Sequence, residues 1–255
     1  RHLLRPLWRW LVGQEAAQAE ESEPLARARA AGELLDRWLL ARLYEATRAT
    51  QAALNGARPR GAAELVETLV QDLVGWYGLH REGASPAQDR VLETLSRLLA
   101  PFVPHLAEAM HRRIKGPAAE SVHLGAWATL DVAWEDKALL EGVALVRRAE
   151  ALAEAARREA GLSPQRTLAR ALLGFYPPRE GDASTLLPFQ ELLTQLLGVM
   201  RLEIIPELGE GVSWQLGLDP GRGVGRDASR DQVEAALASL EPERATDLAR
   251  QLWQG

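Results

Sequence analysis

Side chains that commonly carry out acid–base, nucleophilic or metal chemistry are few in this sequence, and they are scattered. There is no cysteine, which excludes disulfides, thiolate zinc sites and a cysteine nucleophile. None of the five histidines has a metal-ligating neighbour at helical spacing except His111, which follows Glu108, and such a pair is typically a solvated contact. No serine lies in a nucleophile elbow, and no Walker-type loop occurs. The sequence therefore predicts no catalytic and no metal-binding residues.

Arginine is the residue type that remains for binding chemistry. All but two of the 30 basic residues are arginine, although the net charge is -5. Arginine pairs with phosphate through two parallel hydrogen bonds and stacks on unpaired bases. The clusters are Arg112-Arg113, Arg147-Arg148, Arg157-Arg158 with Arg166, and Arg222 with Arg226. On charge alone, solvated helix faces balanced by nearby glutamates are the simpler interpretation.

One aromatic pair, Trp76-Tyr77, could stack on bases. Tyr77 also continues the apolar stripe of its helix, however, so a place in the core is the simpler alternative for its ring.

The elements that would position these residues are helical in the first half. Apolar residues recur every three or four positions in four stretches, 35–54, 65–77, 91–99 and 106–114. Asn55-Gly56 ends the first stretch, Ser85-Pro86 begins the third and Pro104 begins the fourth. Short loops between such stripes predict a helical bundle, with Trp38, Leu69, Leu73, Leu95 and Leu99 in its core.

The pattern changes near residue 135. An alanine-rich helix is predicted from 137 to 160, followed by a helix that Ser184 caps and Gly198 ends. Strands are predicted at 167–176, 199–205 and 212–218, and short helices at 233–240 and 245–253. The predicted fold is mainly α: a helical-bundle domain at 1–134 and a small α/β domain at 135–255.

The first residues of the chain and its hydropathy indicate in which compartment the protein acts. Residues 1–14 are too charged and too rich in tryptophan for a signal peptide, and the chain opens within a helical stripe as if cut from a longer one. No apolar run approaches the length of about 20 residues that a membrane span needs. We therefore expect a cytoplasmic protein with no membrane partner.

Four segments, in order along the chain, resemble the anticodon-binding region of isoleucyl-tRNA synthetases of class I. They are Asp36–Leu43, Asp72–Tyr77, Leu98–Glu108 and Ser121–Leu124 with Trp127. The last resembles the Ser-Val-His-Leu-x-x-Trp connector of the isoleucyl enzymes more than the valyl or leucyl ones.

The resemblance implies a helical-bundle anticodon-binding domain that binds isoleucine tRNA. Trp76, Tyr77, His80 and Arg81 correspond to the family's Trp-Tyr pair and the basic stretch after it. We therefore expect the RNA-binding residues to be Trp76, Tyr77, His80, Arg81, Arg157, Arg158 and Arg166.

Two departures from the family qualify that expectation. The His-Ile-Gly-His and Lys-Met-Ser-Lys-Ser motifs that handle ATP are absent, so we expect no cofactor in this chain and a partner catalytic domain elsewhere. The basic stretch is reduced to residues 78–83, with Arg81 as its single arginine. The alternative is a synthetase-derived module that has lost RNA binding and acts as a protein-interaction or regulatory domain.

Overall fold

The computed structural model describes residues 4–12, 23–81, 85–128, 130–175 and 181–205. The strand predicted at 212–218, the helices predicted at 233–240 and 245–253, and the arginines at 222 and 226 lie outside these ranges.

Helices dominate the described residues. They are α1 (Leu4–Val12), α2 (Glu23–Asn55), α3 (Pro59–Gln71), α4 (Gly78–His80), α5 (Pro86–Leu99), α6 (Pro104–Lys115), α7 (Lys137–Glu159), α8 (Asp182–Leu186) and α9 (Gln190–Leu196). Two short strands, β1 (Ala171–Gly174) and β2 (Leu202–Ile205), form the one sheet found in these ranges. The mainly α prediction is confirmed.

Helix α2 is the centre of the bundle, because α3, α5 and α7 all pack against it. The five core residues predicted from the helical period are all buried, at 4% exposure or less. The helical stripes therefore predicted the inward faces of α2, α3 and α5 correctly.

Local sequence explains where the bundle helices begin and end. The hydroxyl of Ser85 accepts hydrogen bonds from the backbone amides of Ala87 and Gln88, at 3.1 and 3.5 Å, and Pro86 follows it at the first helical position. Helix α7 begins at Lys137, where the Asp136 carboxylate accepts a bond from the Leu139 amide, and it ends just before Gly161, whose φ is +65°. Glycine adopts this left-handed conformation without steric cost, which is why it ends helices.

The helix predicted through Tyr77 changes type within its length. Helix α3 ends at Gln71, and Asp72–Tyr77 continues it as a π-helix. This wider turn is rare, and it occurs frequently at functional sites. It includes one of the segments that carry the resemblance.

The second half departs from the prediction at the helix expected after Ser184. The residue that caps α8 is Gly181, and Ser184 lies inside the helix, where its hydroxyl donates to the Gly181 carbonyl. A 3-10 turn at Leu187–Phe189 then separates α8 from α9. Pro188 has no amide hydrogen to donate, so the helix predicted through this residue is interrupted.

The strands are shorter than predicted. Leu168 and Val199 form a parallel bridge before β1 and β2 pair. By Cα proximity the chain forms two units, Arg1–Leu173 with Gly181–Ile204, and Gly174–Glu180 with Ile205–Gly255. The boundary at 134/135 stays a prediction. No helix among the described residues is long and apolar enough to cross a membrane.

Candidate functional site

Two of the segments that carry the resemblance, residues 36–43 on α2 and residues 72–77 in the π-helix, lie against each other. Three pairs join them: Asp36 with Tyr77, Trp38 with Trp76, and Arg42 with Asp72. As the first number of each pair rises the second falls, which is the register of two antiparallel helices. The two segments therefore form one contact surface inside the fold.

At one end of this surface, two arginines share the carboxylate of Asp72. Arg42 Nε donates to Asp72 Oδ2 at 2.8 Å, and Arg147 Nη1 of α7 donates to Oδ1 at 2.7 Å. The Asp72 side chain is only 5% exposed, whereas Arg147 is 41% exposed. A buried carboxylate needs such partners, because leaving it unpaired would be strongly unfavourable. Asp72 thus links α2, the π-helix and α7.

The indole of Trp76 lies at the middle of the surface. Its ring meets that of Trp38 edge-on, with centroids 4.8 Å apart, and the Arg147 guanidinium lies 5.4 Å from its centroid. Its Nε1 donates to Glu150 Oε2 at 2.9 Å, and Glu150 Oε1 is 3.0 Å from His80 Nε2. Burial raises the pKa of Glu150, but the hydrogen bonds from His80 and Trp76 and the nearby Arg147 outweigh it, so this pKa lies below its usual value.

At the other end, Asp36 receives two side chains. The Tyr77 hydroxyl donates to Asp36 Oδ1 at 2.7 Å, and Arg81 reaches both carboxylate oxygens, at 3.1 and 3.3 Å. Burial and the bond to Asp36 raise the pKa of Tyr77, because both disfavour the phenolate. Tyr77 is fully buried.

The four residues predicted between 76 and 81 to bind RNA are thus all joined to acidic residues of the same chain. Trp76 and Tyr77 are buried, which favours the core interpretation that the sequence left open for Tyr77. His80 and Arg81 are each about one-fifth exposed. Their contacts with RNA stay a prediction.

Among the three arginines predicted beyond the bundle, Arg157 is buried, at 8% exposure. Its guanidinium donates to the backbone carbonyls of Ser163, Arg166, Leu197 and Gly198. These bonds occupy both terminal nitrogens of the guanidinium, so Arg157 has a structural role in this conformation. Its contact with RNA stays a prediction.

Arg158 and Arg166 have exposed side chains. Arg158 lies near the end of α7, and Arg166 ends the turn that Arg157 holds beside that helix. Neither has a side-chain ion pair within the described residues. Arg158 also lines a groove of about 380 Å³ together with Glu154, Pro164 and Leu196. The structure thus brings two available guanidinium groups to the same end of α7.

The sequence did not identify the acidic partners, Asp36, Asp72 and Glu150. The signal was present in part: Asp36 and Arg42 lie in one segment of the resemblance and Asp72, Trp76 and Tyr77 in another. Glu150 lies outside all four segments, and only the packing of α7 shows its role.

The other two segments of the resemblance also meet. Glu108 Oε2 accepts bonds from the Ser121 hydroxyl at 3.0 Å and the Val122 amide at 2.9 Å, and Oε1 accepts from Arg112 at 2.6 Å. These bonds lower the pKa of Glu108 to about 2, Arg112 contributing most. One carboxylate therefore fastens the connector after α6 to that helix. No group of three or more potential metal-ligating side chains is found among the described residues.

Comparison with known proteins shows which family the region with these contacts resembles. The family described as "Anticodon-binding domain of tRNA ligase" matches residues 36–172. The isoleucine–tRNA ligase of Streptomyces coelicolor is 31% identical over 189 residues, 69% of this chain and 18% of the relative. That of Thermus thermophilus is 31% identical over 196 residues, 70% of this chain and 18% of the relative. That of Thermobifida fusca is 36% identical over 155 residues, 55% of this chain and 15% of the relative. The matched part of the chain thus spans less than a fifth of the length of these relatives.

Proposed function

Because the chain belongs to the family of anticodon-binding domains of tRNA ligases, we propose that it binds isoleucine tRNA and positions the anticodon stem-loop. Aminoacylation would then take place in a catalytic domain that this sequence does not contain, and ATP would bind there. The cytoplasm is the compartment that this function implies. Isoleucine is proposed because the similar ligases are isoleucine–tRNA ligases.

The observation that carries the proposal is the extent of the family match. Residues 36–172 include α2 from Asp36 onward, the bundle helices after it, the network around Asp72 and Trp76, and α7 with the turn that ends at Arg166. The network joins α2, the π-helix and α7 through side-chain hydrogen bonds, and elements joined in this way can hold a binding surface in its working geometry. The surface we propose is the end of α7, where Arg158 and Arg166 are exposed.

The net charge of -5 does not oppose this location. Affinity for RNA depends on where basic groups cluster, because each phosphate contacted releases counterions locally. With two available arginines the contacts are few, so we expect weak binding, at the micromolar level of non-specific complexes.

One observation favours the second function, a helical module that has lost RNA binding and acts in protein interaction or regulation. Arg81, the single arginine of residues 78–83, is paired with Asp36 inside the fold. A group already paired has less to gain from a phosphate.

A filter-binding titration with isoleucine tRNA at several salt concentrations tests the proposal. The wild type should bind with a log–log salt slope of roughly 0.7 to 0.9 per phosphate contacted. The double variant Arg158→Gln/Arg166→Gln should bind more weakly and with a smaller slope. Arg60→Gln is the matched control, because Arg60 is 93% exposed at the far end of α3 from Asp72.

Wild-type binding that ignores salt, or no binding at all, would favour the interaction module. An unrelated tRNA measured in parallel shows whether isoleucine tRNA is preferred. Arg81→Glu is a poor probe of RNA contact, because the new carboxylate would face Asp36 and disturb the fold itself.

A further inference from the structure

The end of α7 contains a buried cation that has no carboxylate partner among the described residues. Arg157 is 8% exposed, and its guanidinium donates only to backbone carbonyls. The bonds are 2.7 Å to Arg166, 2.7 Å to Leu197, 3.2 Å to Gly198 and 3.4 Å to Ser163. A buried charge is tolerated only when it is well hydrogen-bonded, and a guanidinium has five donors for this purpose. These four carbonyls therefore stabilise the buried charge of Arg157, and the guanidinium in turn holds the carbonyls in place.

The carbonyls belong to two separate segments. Ser163 and Arg166 are the first and last residues of the turn after α7, and the other two acceptors follow α9. Gly198 has a φ of +58°, and a Cβ atom there would lie 3.4 Å from Arg157 Nη2. Glycine is favoured at this position because it adopts the left-handed φ without steric cost.

Arg166 is held by its backbone while its side chain remains exposed. Its amide donates to the Ser163 carbonyl at 3.1 Å, and its own carbonyl accepts the 2.7 Å bond from Arg157. Arg158, in contrast, is held by the hydrogen bonds of α7 itself. The two exposed arginines therefore differ in whether they depend on Arg157.

We infer that Arg157 is a positioning residue of the RNA interface, which holds Arg166 where its side chain can reach a phosphate and does not touch RNA itself. This inference rests on the proposed function, with Arg158 and Arg166 as the contacting residues. It assigns the three arginines different tasks: Arg158 and Arg166 bind, and Arg157 orients the backbone that carries Arg166.

A double-mutant cycle on the full chain separates positioning from a general structural role. Arg166→Gln and Arg158→Gln are each made in the wild type and in Arg157→Lys, which keeps the charge but cannot reach both segments. The salt slope of isoleucine tRNA binding is measured for all six proteins. In the wild type each glutamine variant should reduce the slope by roughly 0.7 to 0.9. In Arg157→Lys the Arg166→Gln reduction should vanish, whereas the Arg158→Gln reduction should remain.

A second variant keeps the test decisive if Arg157→Lys does not fold. Gly198→Ala disturbs the same bonds from the acceptor side, because the φ of +58° at this position is strained for a residue with a Cβ atom. It should abolish the effect of Arg166→Gln in the same way, and circular dichroism reports whether the bundle stays folded in both backgrounds.

Equal effects of Arg166→Gln in all backgrounds would overturn the positioning role and leave the proposed function standing. Equal loss of the Arg158 and Arg166 effects would show a general structural role and would also overturn it. A wild type that does not bind tRNA would overturn the proposed function and this inference together.

Discussion

At the scale of single residues, Asp72 is the most buried of the three acidic groups in the network, and it pairs with Arg42 and Arg147 from two different helices. Removing one partner of a buried pair typically costs about 3 to 5 kcal/mol. Water reaches Arg147, which is 41% exposed, so the cost should be smaller here. We expect Asp72→Asn to lower the free energy of unfolding by about 2 kcal/mol, measured by urea denaturation.

The matched control is Glu45→Gln, which removes the other acidic partner of Arg42. The Glu45 side chain is 55% exposed. Exposed ion pairs contribute little, so the change should be below about 0.5 kcal/mol. Equal effects of the two variants would mean that burial of Asp72 is not what makes its pairs important.

Glu108 provides a prediction about pH. Its pKa in the folded chain is about 2, against an ordinary value of 4.5, because Arg112, Val122 and Ser121 donate to the carboxylate. A lowered pKa means that the stabilisation is fully present above pH 4.5 and is lost as pH falls towards 2. The urea midpoint of Glu108→Gln should therefore lie below that of the wild type at neutral pH, and the two should converge as the pH approaches 2.

Glu141→Gln is the control for this titration, because Glu141 is exposed on α7 and has no side-chain partner within the described residues. Its small difference from the wild type should not change over the same range. A Glu108→Gln difference that is constant with pH would contradict the role given to the carboxylate in holding the connector.

At the scale of the elements, Gly142 lets α7 pack closely against the turn that carries Phe189. A Cβ atom at Gly142 would overlap the Phe189 ring, which is 4% exposed. Replacing glycine by alanine inside a helix gains up to about 1 kcal/mol in propensity, but overpacking costs about 1 to 3 kcal/mol. Gly142→Ala should therefore lower the denaturation midpoint.

Gly61→Ala separates the two effects. Gly61 is in α3, and nothing lies within 4 Å of the position of its Cβ. This variant should raise stability by about 0.5 to 1 kcal/mol through propensity alone. If both alanine variants were stabilised equally, α7 would not be packed against Phe189 as described.

The helical stripes can be tested directly at Leu95, which is fully buried on α5. Leu95→Ala should cost about 2 to 5 kcal/mol, as truncations in a packed core do. Leu79→Ala is the control, since Leu79 is 73% exposed and its truncation should change stability by less than about 0.5 kcal/mol. An unchanged urea midpoint for Leu95→Ala would show that Leu95 does not lie on the buried face of α5.

The elements also show what the sequence can and cannot predict. Boundaries such as Ser85-Pro86 and Gly161 follow from local chemistry, and the structure confirms them. The sequence predicts Ser184 as the cap of one helix, and this prediction is wrong. Gly181 caps α8 instead, and the 3-10 turn that contains Pro188 separates α8 from α9. The partners of Trp76 and Arg81 lie 74 and 45 residues away, and helical periodicity carries no information about such distances. For this reason the apolar stripe could indicate the burial of Tyr77, whereas the acidic partners of Trp76, His80 and Arg81 could not be predicted.

At the scale of the whole molecule, the predicted boundary at 134/135 concerns which parts fold together. Helix α7 lies beyond that boundary, yet it packs on α2 and buries Val143 and Val146 completely. A fragment of residues 1–134 lacks α7. It would therefore expose the surface of α2 that α7 covers, and it would leave Asp72 without Arg147. We expect its melting temperature to be lower than that of residues 1–205 by at least about 4 °C, the smallest shift that a loss of about 2 kcal/mol produces in domains of this size. The measurement is differential scanning calorimetry of the two fragments, with circular dichroism to establish that 1–134 is helical.

A single transition for 1–205, at a higher temperature than that of 1–134, would show that the bundle and α7 form one cooperative unit. Two transitions in 1–205, the first at the temperature of 1–134, would instead support the division predicted from the sequence.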